Sequence, residues 1–191
     1  MRLKRCLKAN YLLIFLLLLL VQGNRFTINP ANNAMLHNQA GINFMKDQDY
    51  YSAIMEFKLA IDLNPNTATT ATYYNNLGLA YLKINRPVWA ETCFNRAIEI
   101  NPGFLEFYQN LVKSYKMSNT LKTKRNYYSS IFKKNPSNSA ACLMAGLISY
   151  EMGDKNQALE YFRKFKFLEP NLILTTAVSD YIDQISEDDD I

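Results

Sequence analysis

The sequence is poor in the residue types on which catalysis most often depends. Its 191 residues include one histidine, His37, and six glycines. It has no nucleophile elbow, no glycine-rich phosphate loop and no set of His, Cys, Asp and Glu at the spacing of a metal site. An enzymatic activity, a cofactor and a bound metal ion are therefore not expected.

The long hydrophobic run of the chain lies near its N-terminus. The run reads YLLIFLLLLLV over residues 11–21, follows the basic stretch MRLKRCLK and precedes QGN. This order is typical of a secretory signal peptide, here residues 1–23 with cleavage before Asn24. The run is too short for a spanning helix, which needs about 20 residues, although an uncleaved signal anchor stays the alternative. Because Cys6 precedes the run, attachment of a lipid to it is not expected.

Beyond this leader the chain has no excess of charge. The whole sequence has 21 basic and 17 acidic residues. Four of the basic residues lie in the leader, which has no acidic residue, so 17 of each sign remain. A formally neutral mature chain gives no reason to expect nucleic acid as a partner.

Two segments of the chain repeat one pattern of small and aromatic residues. They are HNQAGINFMKDQDYYSAIMEFKLAIDLNP (37–65) and YNNLGLAYLKINRPVWAETCFNRAIEINP (74–102). In each, a glycine is followed by an aromatic residue after three positions, alanine after 12, phenylalanine after 16, alanine after 19 and proline after 24. The matching residues are Gly41, Phe44, Ala53, Phe57, Ala60 and Pro65, and then Gly78, Tyr81, Ala90, Phe94, Ala97 and Pro102.

Weaker copies of this pattern cover residues 108–136 and 142–170, and the last three prolines of the pattern are 34 residues apart. The pattern resembles the tetratricopeptide repeat, a helix–turn–helix unit of about 34 residues. The resemblance implies an all-helical, right-handed superhelix (an α-solenoid) over residues 33–170. Its four units would cover residues 34–67, 71–104, 105–138 and 139–170. One unit cannot bury its own apolar face, so several must stack.

The small residues of the pattern are expected to pack the two helices of a unit together. A glycine inside a helix costs roughly 1 kcal/mol relative to alanine, but it lets two helix backbones approach inside the usual distance of about 8–10 Å. The residues for which we expect this role are Gly41, Ala53, Gly78, Ala90, Gly146 and Ala158. The third unit has Val112 and Lys124 at these positions, so its helices are expected to pack less closely.

Three segments flank the units, and one connection between two units is longer than the others. Residues 24–32 are a linker, residues 171–186 are predicted to form a capping helix, and residues 187–191 are an acidic tail. Pro65 and Pro102 are 37 residues apart, so the connection NTATTAT is expected to hold about three extra residues.

The resemblance also implies a concave groove lined by the first helix of each unit. The groove residues that we expect to bind a partner are Asn38, Met45, Asn75, Asn76, Leu79, Gln109, Asn110, Lys113, Lys116 and Tyr150. Side-chain amides offer both a donor and an acceptor to an extended peptide backbone. The alternative is that these amides only reflect an asparagine-rich chain.

The third unit carries a concentration of positive charge against the single acidic residue Glu106. Its basic residues are Lys113, Lys116, Lys122, Lys124, Arg125, Lys133 and Lys134. One interpretation is a solvated helix face. The other is a docking surface for an acidic partner, for anionic lipid headgroups or for the chain's own acidic tail.

The histidine and the two cysteines beyond the leader are expected to be structural. His37 holds a position that is tyrosine or cysteine in the other units, which predicts a half-buried packing residue. Cys93 and Cys142 lie in units that are two apart, and such units do not touch in a solenoid. A disulfide is therefore not expected, and both thiols are expected to be buried.

These features predict a non-catalytic scaffold or adaptor that is exported, either periplasmic or secreted, and binds a protein or peptide in its groove. By analogy of fold it would serve in envelope, pilus or secretion assembly. The alternative is a membrane-anchored protein, held by an uncleaved leader, that docks through the basic third unit. A clamp for chaperone C-terminal carboxylates, known in the family, is not expected, because Glu106 replaces one of its lysines.

Overall fold

The computed structural model of the chain describes residues 29–169 and 173–188. The predicted leader (1–23) and most of the linker therefore lie outside the described residues, as does the end of the acidic tail. Within the described residues the chain forms nine α-helices and no β-strand. The helices are α1 (Pro30–Lys46), α2 (Tyr50–Leu63), α3 (Ala68–Lys83), α4 (Pro87–Ile100), α5 (Leu105–Met117), α6 (Leu121–Lys134), α7 (Ser139–Glu151), α8 (Lys155–Leu168) and α9 (Ile173–Asp188).

The helices follow one another as pairs, which confirms the predicted all-helical solenoid. The pairs α1–α2, α3–α4, α5–α6 and α7–α8 are the four units, and the first helix of each later unit packs against the second helix of the unit before it. The last helix, α9, packs against α8 in the same way but has no second helix after it in the described residues. It lies where the expected capping helix was placed, and the capping role itself stays a prediction.

The turn inside each unit contains one residue in the left-handed conformation. These residues are Gln48, Asn85, Asn119 and Gly153, with φ of 63°, 57°, 56° and 81°. Left-handed backbone is tolerated best by glycine and then by asparagine, which fits three of the four positions. The same turn at the same place in all four units fixes how the second helix of each unit returns along the first.

The second helices end where the repeated proline requires it. Asn64, Asn101 and Asn135 cap α2, α4 and α6 with φ between −134° and −144°. A residue before proline is forced into extended backbone, and the proline itself cannot continue the helix. The proline spacing seen in the sequence is therefore the spacing of helix ends.

The repeated glycine of the first helix lies against the repeated phenylalanine of the second. A Cβ atom on Gly41 would lie 2.5 Å from Cε1 of Phe57, and one on Gly146 would lie 2.7 Å from Cε1 of Phe162. Gly78 stands in the same relation to Phe94. The six residues for which packing was expected are all buried: Gly41, Ala53, Gly78, Ala90, Gly146 and Ala158. The glycine thus makes room for a whole aromatic ring.

The third unit lacks this arrangement, and its helices contact each other much less than those of the second and fourth units. Val112 holds the glycine position and Tyr128 the phenylalanine position. Tyr128 is only half-buried, and α6 has no fully buried residue. The two helices are joined instead by a hydrogen bond of 3.1 Å between the hydroxyl groups of Tyr115 and Tyr128. The prediction of looser packing in this unit is confirmed.

The three extra residues before the second unit lie in a helix and not in a longer connection. Helix α3 has 16 residues, whereas α5 and α7 have 13 each. Thr67 caps α3 by accepting a hydrogen bond from the backbone N–H of Thr70, and the Thr70 hydroxyl donates to the carbonyl oxygen of Asn64. The expectation that the connection NTATTAT holds the extra residues is wrong, because this threonine cap starts the helix at Ala68.

Candidate functional site: the groove of the first helices

The first helices of successive units are direct neighbours. Helix α3 contacts α5, and α5 contacts α7. Helices α1 and α3 are joined by a hydrogen bond of 2.9 Å, which the side-chain amide of Asn76 donates to Oδ1 of Asn38. The first helices that carry the expected groove residues therefore lie side by side, and we call the surface that they are expected to form the first-helix groove.

A buried amide network joins the second and third units at the floor of this groove. Asn75 and Asn110 are buried, with only 3% and 1% of their surface exposed. Nδ2 of Asn110 donates to Oδ1 of Asn75 at 2.9 Å, and both amides donate to Oε1 of Glu106, at 3.2 and 3.3 Å. Lys113 closes the network by donating to Oδ1 of Asn110 at 2.9 Å. These amides are used within the chain, and their contact with a partner stays a prediction.

The amides of the first two units are more accessible. Asn38 and Asn76 are both half-buried. Their mutual hydrogen bond leaves Nδ2 of Asn38 as a donor and Oδ1 of Asn76 as an acceptor without a partner within the described residues. Met45 and Leu79, also half-buried, line the groove in the same two units by the repeat alignment. This end of the groove thus combines unused amide groups with apolar surface.

The last described helix, α9, lies over the other end of the groove. The Tyr181 hydroxyl of α9 accepts a hydrogen bond of 2.8 Å from the Gln109 amide. The Tyr181 ring meets the Tyr150 ring edge to face at a centroid distance of 4.8 Å. A cavity of about 210 Å³ remains here, bordered by Lys113, Glu151 and these residues. Gln109 and Tyr150 were expected to bind a partner, and the structure places a side chain of the chain itself against both.

Sequence reasoning missed Tyr181. The signal for it is its position in the amphipathic pattern of α9, three residues after Val178 and four before Ile185, both fully buried. This places Tyr181 on the buried face of α9.

Three cations of the basic third unit are bound to acidic residues of its neighbours. Lys124 pairs with Glu91 of the second unit. Lys116 and Arg125 pair with Glu151 and Asp154 of the fourth unit, at 2.6 and 3.1 Å. Lys122, Lys133 and Lys134 are exposed and have no ion pair within the described residues. Part of the positive charge therefore links the loosely packed third unit to the units on either side.

The remaining residues that could take part in catalysis are His37, Cys93 and Cys142, and each lies in a hydrogen-bonded or buried position. His37 is half-buried, and its Nδ1 atom lies 2.7 Å from Oε2 of Glu56, a partner that the sequence did not predict. Cys93 and Cys142 are free and buried, as expected. Burial raises the pKa of each thiol to about 12, which keeps the nucleophilic thiolate form rare.

Residues 29–169 and 173–188 offer neither a metal site nor a membrane-spanning helix. No group of three or more His, Cys, Asp and Glu there has the arrangement of a metal site. Among these same helices, none combines the length and the apolar composition that crossing a membrane requires. The apolar run over residues 11–21 lies outside the described residues.

Comparisons with known proteins agree with the repeat pattern. The family model for the tetratricopeptide repeat matches residues 71–104, and a second model of the same description matches residues 139–171. The uncharacterized protein ycf37 of Pyropia yezoensis is 29% identical over 135 residues, covering 65% of this chain and 76% of that protein.

Two further comparisons concern longer proteins. BBSome complex member bbs-4 of Caenorhabditis elegans is 25% identical over 161 residues, 83% of this chain, but the chain spans only 34% of that relative's length. Among solved structures, a tetratricopeptide repeat protein from Parabacteroides merdae superposes with a TM-score of 0.50 at 16% identity, covering 83% of this chain and 62% of that one. The latter is a likeness of fold.

Proposed function

Because tetratricopeptide repeat models match residues 71–104 and 139–171, we propose that the chain is a non-catalytic scaffold that holds an extended segment of a partner protein in its first-helix groove. Proteins built of these repeats are generally scaffolds for protein–protein interaction. The observation that carries the proposal is the amide pair Asn38–Asn76, which keeps one donor and one acceptor unused beside half-buried Met45 and Leu79.

These groups suit the backbone of an extended segment. Such a backbone presents an N–H and a C=O at every residue, and an unused amide N–H together with an unused amide oxygen can bind one of each. The apolar surface of Met45 and Leu79 then covers a side chain of the segment. Recognition of this kind depends little on the identity of the polar side chains of the partner.

The charge at the middle of the groove restricts which part of a partner fits. Glu106 accepts hydrogen bonds from both Asn75 and Asn110 and is itself exposed. A chain-terminal carboxylate at this point would be repelled by the Glu106 carboxylate. An internal segment of a partner is therefore favoured over its C-terminus, which argues against the chaperone clamp.

The leader motivates the second part of the proposal, that the scaffold is exported and acts in a periplasmic or secreted setting. Assembly of an envelope, pilus or secretion system is the finer expectation, and it rests on analogy of fold. The anchored alternative, with the basic third unit docked on anionic lipid, is weaker because three of the seven cations already have acidic partners in neighbouring units.

The groove is tested by affinity capture from an extract of the source cells, with the chain compared with the double variant Asn38→Ala/Asn76→Ala. The matched control is Asn126→Ala, which removes an exposed amide of α6, away from the first helices. We expect a protein that the chain and the control capture and the double variant loses, with all three chains unfolding at similar temperatures. Equal capture by all three would contradict the groove.

The leader is tested separately by the mature N-terminus and by fractionation. A soluble species that begins near Asn24 is expected. A full-length species that stays with the membrane after a high-salt wash would replace export with anchoring, and it would leave the groove proposal standing.

A further inference from the structure

A second groove lies between α6 and α8, on the side of the second helices. Both helices pack against α7, and a cleft of about 860 Å³ remains between them. This volume lies within the range of about 300–1,000 Å³ that is usual for pockets that bind ligands. We call this cleft the outer groove. The apolar side chains that line it are Phe132, Pro136, Tyr161, Phe167 and Leu168.

The walls of the outer groove are fixed by contacts across it. The Tyr161 hydroxyl of α8 donates to Oγ of Ser129 in α6 at 3.0 Å. The rings of Phe132 and Tyr161 meet edge to face, with 6.2 Å between their centroids. A partner would therefore meet a groove that is already formed, which reduces the cost of ordering it on binding.

The groove presents its apolar surface to solvent. Phe167 is 85% exposed, although it is one of the largest apolar side chains of the protein. It stands beside Leu168 and Phe132, which are only half-buried. An exposed aromatic ring at the edge of an apolar cleft is typical of an interaction surface, whereas single exposed apolar residues are common everywhere.

The charged residues of the outer groove are all positive. They are Lys133 of α6 and Arg163 and Lys164 of α8, and no acidic residue lines the groove. Lys164 pairs with Glu160 of its own helix. Lys133 and Arg163 have no ion pair within the described residues. Only Lys133 belongs to the basic third unit, so the sequence pattern did not single out this cluster.

We propose that the outer groove binds an acidic amphipathic segment of a partner protein. One or two large apolar side chains of the segment lie between Phe132 and Phe167, and its carboxylates pair with Lys133 and Arg163. An arginine that is not already paired binds a carboxylate through two parallel hydrogen bonds. The groove is independent of the first-helix groove, so one chain can hold two partners.

An amphipathic protein segment fits this cleft better than a lipid does. Two helices flank the groove and leave it open on its outer side, which is the arrangement in which a helix lays its apolar face into a groove. An acyl chain gains most from a cavity that encloses it and removes its whole surface from water.

The proposal is tested by panning a display library of random 12-residue peptides on the immobilised chain. We expect enrichment of peptides that combine aromatic or large aliphatic residues with Asp and Glu. An enriched peptide, labelled with fluorescein, then measures affinity by fluorescence anisotropy. Lys133→Glu/Arg163→Glu and Phe167→Ala should each raise the Kd at least tenfold, and a peptide with Lys at its acidic positions should bind the double charge variant instead.

The matched controls change similar residues outside the groove. Lys122→Glu/Lys134→Glu reverses two exposed charges of α6, and Val88→Ala truncates an apolar side chain that is 65% exposed on α4. Both should leave the Kd within twofold. The proposal is overturned if no peptide is enriched, if the enriched peptides lack acidic residues, or if the controls weaken binding as much as the groove variants.

Two further experiments test whether a lipid surface or the chain's own acidic tail occupies the outer groove instead. Sedimentation with vesicles of phosphatidylglycerol and phosphatidylcholine should show no dependence on Lys133, Arg163 or Phe167, and a dependence would identify a lipid surface instead. A chain truncated after Ser186 should bind the peptide with unchanged Kd. Tighter binding by the truncated chain would show that the chain's own acidic tail occupies the groove, which would overturn the proposal of an external segment.

Discussion

Gly78 lies directly beneath the ring of Phe94, so that a Cβ atom on Gly78 would come within 2.5 to 2.9 Å of three ring atoms. Phe94 is completely buried. The same relation holds in the first and fourth units, and it explains why a residue that weakens helices recurs inside three of the first helices. The glycine leaves the space that the fully buried Phe94 of the second helix occupies.

We expect Gly78→Ala to lower the free energy of unfolding by about 1–2 kcal/mol. The added methyl group clashes with Phe94, and overpacking of this kind costs about 1–3 kcal/mol, while the better helix propensity of alanine returns up to about 1 kcal/mol. Urea titrations followed by circular dichroism measure the change. Gly103→Ala is the control, because Gly103 is exposed and lies in a turn outside the helices. A stabilised Gly78→Ala chain would contradict the packing role.

The hydrogen bond between Asn75 and Asn110 should make the effects of substituting the two residues on the free energy of unfolding non-additive. Asn110→Ala leaves the buried Oδ1 atom of Asn75 without its donor, although Nδ2 of Asn75 keeps its hydrogen bond to Glu106. An unsatisfied buried acceptor costs about 1–3 kcal/mol. The double variant Asn75→Ala/Asn110→Ala should cost less than the sum of the single variants by about 0.5 kcal/mol or more. The exposed pair Gln39 and Asn43 is the matched comparison, and its coupling should be close to zero. Additive effects at Asn75 and Asn110 would show that the bond does not form.

Helix α6 should open before the other second helices. It has no fully buried residue, whereas α4 and α8 bury Phe94 and Phe162 completely. Segments with few buried contacts exchange their amide hydrogens through low-energy local opening. Hydrogen exchange followed by mass spectrometry should show amides of residues 121–134 exchanging faster than those of α4 and α8. Equal protection across the three helices would indicate that the stack unfolds as one unit.

The chain should lose stability as the pH rises from about 9 to about 12. Burial raises the pKa of Cys93 and of Cys142 from 9.0 to about 12, and that of Tyr108 from 10.0 to about 12. In this window the unfolded chain has already released protons that the folded chain retains. Each such group therefore lowers the free energy of unfolding by up to about 1.4 kcal/mol per pH unit.

Urea titrations between about pH 8 and pH 11 measure this slope. Cys93→Ala/Cys142→Ala should make it shallower, because the two thiols no longer contribute. A slope that is the same in the variant would show that the thiols ionise as readily in the folded chain as in the unfolded one.

The fold was predictable from the sequence because its units repeat. The positions of Gly41, Gly78 and Gly146, together with the proline spacing, determine which helices pair and where they end. Alignment of the four copies of the repeat also predicted the looser packing of the third unit, from Val112 and Lys124. A pattern of this kind can be recognised within one short segment, and each further copy of the unit supports the same assignment.

Features that occur once were not predictable in this way. The threonine cap at Thr67 adds a turn to α3 in one unit, and Tyr181 reaches back to Gln109 across 72 residues of sequence. The outer groove depends on Lys133 and Arg163 from two units coming together beside Phe167. A repeat alignment gives the position of each residue in its own unit, but side-chain contacts between units depend on rotamers and on neighbours that differ from copy to copy.

The Tyr181 contacts also bear on whether the chain can gain a further repeat unit after Glu169. Because α9 occupies the place where the first helix of another unit would stack, adding a unit after Glu169 by gene duplication would break the hydrogen bond to Gln109 and the ring contact with Tyr150.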